Sequence, residues 1–293
     1  MARASAKAIL LGEHAVVHGV PALAVGLDRG AVATATPSAR SLLRSGGLSA
    51  APGDGTDLGK AFEALLASLG APPHAVEATL EVPAGVGLGA SGALGVAVAR
   101  AVLEATGEGG DLRRAVDAAM AWERVFHGNP SGVDAWAAAL GGCLRFSRGE
   151  GPKPVPLPRP LDLVVAVTGP APSTRAMVEG VARLLERRRE MVEKAFEGIR
   201  SLVDNAALCL EAGDWPGLGK LLDLAQMLLS GLMLSTPEIE RACGIARSAG
   251  ALGAKLTGAG GGGCIIALAD GPPETVARAL RAASFESFTA RVA

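Results

Sequence analysis

Tyrosine is absent from the 293 residues, cysteine occurs four times, and charged residues make up 19% of the chain with a formal net charge of -1. The near-zero charge removes any electrostatic ground for a nucleic-acid or anionic-membrane partner. Cys143, Cys209, Cys243 and Cys264 lie far apart with no C-x-x-C spacing, which argues against a zinc site or a disulfide framework and leaves buried free thiols. No apolar run reaches membrane-spanning length. The opening "MARASAKAILLGEHAVV" is broken by Gly12-Glu13-His14 before a signal-peptide core forms, so a soluble, cytoplasmic protein is expected. The missing tyrosine, beside 40 glycines and 18 prolines, reflects compositional bias and carries no functional meaning. With 49% hydrophobic residues the chain is globular, long enough for one large domain or two modest ones.

The stretch Pro83 to Ser91, "PAGVGLGAS", runs directly into a helix-forming segment, Gly92 to Ala105. Small residues let backbone wrap a ligand closely, and a helix opening next to them aims free N–H groups and its positive dipole end at that ligand. Such a place suits phosphate. The lysine and hydroxyl residue of the P-loop pattern are missing, and no Rossmann unit follows. A tight strand-to-helix turn without a ligand would use the same glycines.

Coarse periodicity gives strands at Lys7–Leu11, Ala22–Leu27, Gly30–Thr36 and Val76–Val82, with a loop or edge hairpin over 38–56 and a helix over Asp57–Leu69. Two further helices, Asp111–His127 and Ser131–Leu140, are divided by Gly128-Asn129-Pro130. "PKPVPLPRP", residues 152–160, reads as extended linker, which places a domain boundary at 155/156 and gives domains 1–155 and 156–293. Beyond it a strand at Leu161–Val167 precedes a helical stretch, Ser173–Ala212, whose Arg187–Arg189 cluster reads as a solvated face. Ser235-Thr236-Pro237-Glu238 has capping-box spacing at a helix start. Gly253–Leu268 reads as strand, glycine turn and strand, Pro273–Ala283 as helix and Ser287–Val292 as a last strand. Strands and helices mixed without a βαβ repeat indicate an α+β fold in both halves.

Five side chains stand out. Val116, Met120, Glu123 and His127 share one helical face, so Glu123 is directed inward, where a carboxylate needs a cation. An arginine such as Arg100 would serve, and so would Mg²⁺ held together with a nucleotide. Asp134, in the first turn after "GNPSG", is kept ionised by the helix N-terminus and is able to accept a hydroxyl proton in phosphoryl transfer, or is an ordinary N-terminal acid. Lys7 ends a strand, with His14 and His18 in the turn beyond it. A second glycine run, Thr257–Gly263, either lets a loop approach a ligand or turns a hairpin.

Taken together, "KAILLGEHAVVHG" (7–19), "PAGVGLGASGA" (83–93) and "KLTGAGGGG" (255–263) resemble the three ordered motifs of the GHMP kinase family of galactokinases, homoserine kinases, mevalonate kinases and phosphomevalonate kinases. The resemblance spans essentially the whole chain. It implies a ribosomal-S5-domain-2-like N-terminal domain and a ferredoxin-like C-terminal domain. It also implies ATP as co-substrate, and the wording of "GEHAVVHG" and "ERVFHGNPSGVD" implies phosphate transfer to the 5-hydroxyl of mevalonate in isoprenoid synthesis. By position, Asp134 would be the base and Lys7 would assist it; Ser91 and Glu123 would hold Mg²⁺. Pro83, Gly85, Gly87, Leu88, Gly89, Ala90, Ser91 and Gly92 would cradle the nucleotide, and Glu13, His14, Thr257 and Gly258 would line the substrate end. The partners implied are small molecules, with a homodimer left open.

The chain departs from the family where Ala90-Ser91-Gly92 stands for two serines and an alanine, and where Ala225-Gln226 stands for an Asn-Gln pair. Rival readings are a family kinase for phosphomevalonate or another alcohol, which should need added basic residues near His14, and a nucleotide-binding regulator without catalysis. A structural RNA-binding role is opposed by the near-neutral charge.

Overall fold

The computed structural model describes residues 1–128 and 130–293, so Asn129 of the Gly128-Asn129-Pro130 break lies outside the described residues. Two compact units are present. Unit 1 comprises Met1–Lys7, Gly26–Ala84 and Gly89–Gly141; unit 2 comprises Ala8–Val25, Gly85–Leu88 and Gly142–Ala293. Compactness therefore divides the chain by several segments, and a single sequence boundary at 155/156 stays a proposal about the two halves.

In unit 1, β1 (Ala2–Leu11) pairs with β2 (Ala22–Pro37), and both strands also contribute residues to unit 2. The two strands expected at Ala22–Leu27 and Gly30–Thr36 are one. Gly30 permits this, because a Cβ there would stand 2.0 Å from the Ala4 carbonyl oxygen of β1. A hairpin of β3 (Leu42–Ser45) and β4 (Leu48–Ala50) follows, then α1 (Asp57–Leu69). The Thr56 hydroxyl caps α1 by accepting from Gly59 N, and Gly70 closes it in the left-handed region. β5 (His74–Leu80) lies antiparallel to β2 and parallel to β3. α2 (Ala90–Ala105) starts two residues earlier than its pattern suggests and is buried at all but four of its sixteen positions, which makes it the central helix of the unit. α3 (Leu112–His127), capped by Asp111, and α4 (Val133–Leu140) pack against it. Phe62, Leu65, Val96, Val102 and Val116 fill the core, each contributing about 1.5–3 kcal/mol by burial.

In unit 2, β6 (Cys143–Ser147), which periodicity did not reveal, pairs with Ala22–Val25 of β2. β7 (Gly151–Val155) pairs with β6, so the first half of the expected linker is an edge strand, where prolines are tolerated for want of a ladder N–H. β8 (Leu161–Gly169) leads to α5 (Thr174–Arg187) and α6 (Arg189–Ala212). The helical stretch expected here is divided at Arg188, whose φ of -138° leaves the helical region, and Arg187–Arg189 are exposed as expected.

α7 (Trp215–Gly231) and α8 (Pro237–Ser248) complete the helical side. Thr236, not Ser235, caps α8, and the Ser235 hydroxyl instead donates to Glu240 Oε1 at 2.7 Å. β9 (Gly253–Thr257), β10 (Gly263–Ala269), α9 (Pro273–Ala282) and β11 (Ser287–Val292) end the chain. The four-stranded sheet has the order β11-β8-β10-β9, antiparallel throughout. α7 crosses β9 backbone to backbone: a Cβ on Gly253 would stand 2.0 Å from the Gly219 carbonyl oxygen. Among the described residues no helix is long and apolar enough to cross a membrane.

Candidate active site

The glycine loop carries positive φ at Gly85, Gly87 and Gly89, a run that side chains with a Cβ resist. α2 opens from Gly89 with no side-chain cap. The first-turn N–H groups of Ala90, Ser91 and Gly92 therefore keep the anion-binding character of an uncapped helix start. In unit 2, Gly85–Leu88 runs beside the second glycine run: a Cβ on Gly258 would come 3.2 Å from the Gly87 oxygen, and one on Gly263 2.8 Å from the Val86 oxygen. The absence of side chains is what allows both approaches.

Unit 1 brings together four of the residues singled out in the sequence. Lys7 on β1 reaches past Gly89, where a Cβ would stand 2.7 Å from Lys7 Cγ, and its Nζ lies 3.1 Å from Asp134 Oδ1. Gly92 makes room for Asp134, whose Cβ a side chain there would meet at 3.3 Å. Ser91 Oγ donates to Glu123 Oε1 at 2.5 Å. Arg100 is not the partner of Glu123: its guanidinium donates to the Arg3 and Ala139 carbonyls at 2.6 and 2.5 Å. Burial, and after it the charge of Asp134, push the Glu123 carboxyl up to about 7 against the pull of Ser91 and Lys7. Two carboxylates face one ammonium, with the His127 ring 3.6 Å from Glu123. A hydroxyl and a buried carboxylate with surplus negative charge form a hard-oxygen donor set that fits Mg²⁺.

A pH-dependent stability follows for the metal-free protein. A carboxyl whose pKa rises from 4.5 to about 7 on folding contributes stability that is complete below 4.5 and lost as pH climbs through 7. Gln mimics the protonated form, so Glu123→Gln is expected to match the parent near pH 4 and exceed it by about 3 kcal/mol above pH 7. Denaturation in chelator at both pH values measures this. A variant less stable than its parent at pH 8 would contradict the burial account.

In unit 2 the Gly12–His14 turn is held by the strand that opens the third motif. Lys255, fully buried, donates to Glu13 Oε1 and to the Leu256 carbonyl. Thr257 Oγ1 accepts from Ile9 N at 2.8 Å and donates to Ile9 O. His14 has φ 59° and ψ -47° with Ala15 N bonded to Glu13 O at 2.6 Å, a γ-turn of the rare positive-φ kind that stores strain. Its Nε2 faces the Ala259 carbonyl at 2.8 Å, and its buried Nδ1 meets no protein partner among the described residues. Because a carbonyl only accepts, Nε2 carries the proton and Nδ1 is an acceptor. Burial lowers the His14 pKa, so the ring is neutral. Gln226 on α7 accepts from Leu256 N at 2.8 Å and donates to Ser235 and Glu240.

Sequence reasoning missed Lys255, Gln226 and Trp122, the last of which donates its indole N–H to Ser91 Oγ at 3.1 Å. Lys255 and Gln226 were visible as motif positions, but neither spacing nor periodicity names a distant partner.

An uncapped glycine-loop helix start above a lysine, two carboxylates and a serine is the arrangement of a small-molecule kinase. The chain matches the GHMP kinases N terminal domain over residues 58–142 and the GHMP kinases C terminal domain over 206–286, and it belongs to the GHMP kinase family. It is 35% identical to the mevalonate kinase of Aeropyrum pernix over 100% of this chain and 96% of that one. To the mevalonate kinase of Pyrococcus abyssi it is 33% identical over 100% and 95%. The crystal structure of L. major mevalonate kinase in complex with R-mevalonate superposes with a TM-score of 0.88 at 28% identity, covering 100% of this chain and 95% of that one.

Proposed function

We propose that this chain transfers the terminal phosphoryl group of ATP to the 5-hydroxyl of mevalonate, giving 5-phosphomevalonate and ADP in isoprenoid synthesis. The observation that carries the reading is the Lys7–Asp134 pair at 3.1 Å beside the first turn of α2. The curated relatives that bear the mevalonate kinase name support the choice of alcohol.

Asp134 takes the proton of the attacking hydroxyl, and Lys7, 3.1 Å from that carboxylate, stabilises the alkoxide as it forms. The hydroxyl oxygen bonds to the phosphorus as the bridging oxygen leaves with ADP. Pro83 to Gly92 bind the triphosphate through backbone N–H groups. Ser91 Oγ and Glu123 would hold Mg²⁺, which when bound would supply positive charge against the phosphates. Glu13 and His14 serve the substrate end, where neutral His14 offers Nδ1 to a donor. Thr257 and Gly258 contribute by backbone, the Thr257 hydroxyl being taken up by Ile9. The cation nearest that turn, Lys255, is engaged by Glu13, which disfavours a substrate already carrying phosphate.

The test is a panel of mevalonate, phosphomevalonate, galactose and homoserine with Mg-ATP. Mevalonate is expected to be phosphorylated in strong preference. A preference for any other member sinks the substrate assignment and leaves the family untouched.

A further inference from the structure

Trp122 has no part in the chemistry assigned above, yet it is among the largest fully buried side chains of the protein. It sits next to Glu123 on α3. Its indole N–H donates to Ser91 Oγ at 3.1 Å while the Ser91 hydroxyl donates to Glu123 at 2.5 Å. A hydroxyl has one proton and two acceptor positions and rotates to suit its surroundings. Here both the proton and one acceptor position are assigned by neighbours, so a single lone pair remains.

The seat for the indole is built into α2. A Cβ on Gly95, one turn beyond Ser91, would stand 3.1 Å from Trp122 Cδ1 and 3.2 Å from Cγ. Glycine inside a helix costs roughly 1 kcal/mol relative to alanine. α2 carries that cost where it lets the indole come against it, and Phe126 packs on the ring at a centroid distance of 5.9 Å. With alanine at position 90, Ser91 is the one hydroxyl in the first turn of α2, so its orientation has no substitute there.

The geometry points to Trp122 as a positioning residue: its indole N–H fixes the Ser91 hydroxyl so that the remaining lone pair is presented to the cation of a bound nucleotide. This rests on the reading that Ser91 and Glu123 hold that cation. A tryptophan that merely fills space would need only some acceptor for its N–H, and its loss would lower stability without touching metal-dependent binding.

The experiment measures ADP affinity by calorimetry with and without Mg²⁺, which needs no mevalonate turnover. Trp122→Phe keeps an aromatic filler and removes the N–H. It is expected to weaken the magnesium-dependent part of ADP binding by roughly three- to tenfold, the worth of one hydrogen bond, with metal-free ADP binding unchanged. The Ser91→Ala/Trp122→Phe double variant should bind no more weakly than Ser91→Ala. A folded Trp122→Phe whose magnesium dependence stays within about twofold of the parent, or losses that simply multiply in the double variant, would overturn the proposal. If Trp122→Phe does not fold, the indole N–H resonances of the three tryptophans decide. Ser91→Ala should move one of them upfield, and no movement rejects the bond and the proposal with it. Parent protein that binds Mg-ADP but leaves mevalonate untouched would remove the substrate assignment alone.

Discussion

Asp134→Asn is expected to lower turnover by roughly 10² to 10⁴ while leaving ATP binding near that of the parent. Asparagine keeps the size and hydrogen-bonding reach of the side chain and cannot take a proton. The loss has a second component. Asp134 raises the pKa of Glu123 and pairs with a Lys7 that is 5% exposed, so the amide also leaves that ammonium with Glu123 as its remaining carboxylate. Lys7→Met should be slow for the complementary reason. Because both groups act on one hydroxyl, the double variant should lose less than the product of the single losses. Single-turnover measurement has to accompany the steady state, since slow product release would mask a chemical defect. Turnover within a few-fold of the parent, with chemistry shown to limit the rate, would end the assignment of Asp134 as base.

The largest stability effect is expected from Lys255→Met. Lys255 and Glu13 are 0% and 1% exposed and in direct contact. Removing one partner of a buried pair strands the other charge in low dielectric, at a cost of about 3–5 kcal/mol. Against a total stability of about 5–15 kcal/mol this is a large fraction. Glu13→Gln alone should cost less, because the ammonium keeps the Leu256 carbonyl as acceptor. The double variant Glu13→Gln/Lys255→Met should recover much of the single Lys255→Met loss, since no charge is then stranded. Denaturant unfolding of the three variants gives the cycle. A Lys255→Met loss below about 1 kcal/mol would mean that water reaches the pair and that the interior there is not dry.

Much of this site could be read along the chain because its residues sit in short contiguous motifs. Lys7, Ser91, Glu123 and Asp134 were each placed with a role in view, and the inward direction of Glu123 followed from helical period alone. What period could not give was the partner. An arginine such as Arg100 and a Mg²⁺ ion were both open to Glu123, and only the folded chain sends Arg100 to two backbone carbonyls. The γ-turn at His14 was invisible for a related reason, since a non-glycine residue at positive φ is imposed by its surroundings. Among the elements, α1 and the start of α9 matched their patterns at the boundaries because caps and prolines mark them, and β11 matched at both ends. β6 was lost as five residues after a double glycine. α7 was lost because three glycines and a proline dilute its periodicity, and one of those glycines is there for β9.

That glycine contact has a consequence for how the sequence tolerates change. Most buried positions accept graded replacement, valine for isoleucine or methionine for leucine, with graded cost. Both glycines face backbone: a Cβ added to Gly253 would stand 2.0 Å from the Gly219 carbonyl oxygen, and one added to Gly219 would stand 2.5 Å from the Leu252 carbonyl oxygen, so trimming a neighbouring side chain does not restore the space. In a saturation scan both positions should appear as columns where every substitution fails together, alanine hardly better than tryptophan. A lineage that lost either glycine would have to rebuild the crossing of α7 and β9, and with it the placement of Gln226 on Leu256.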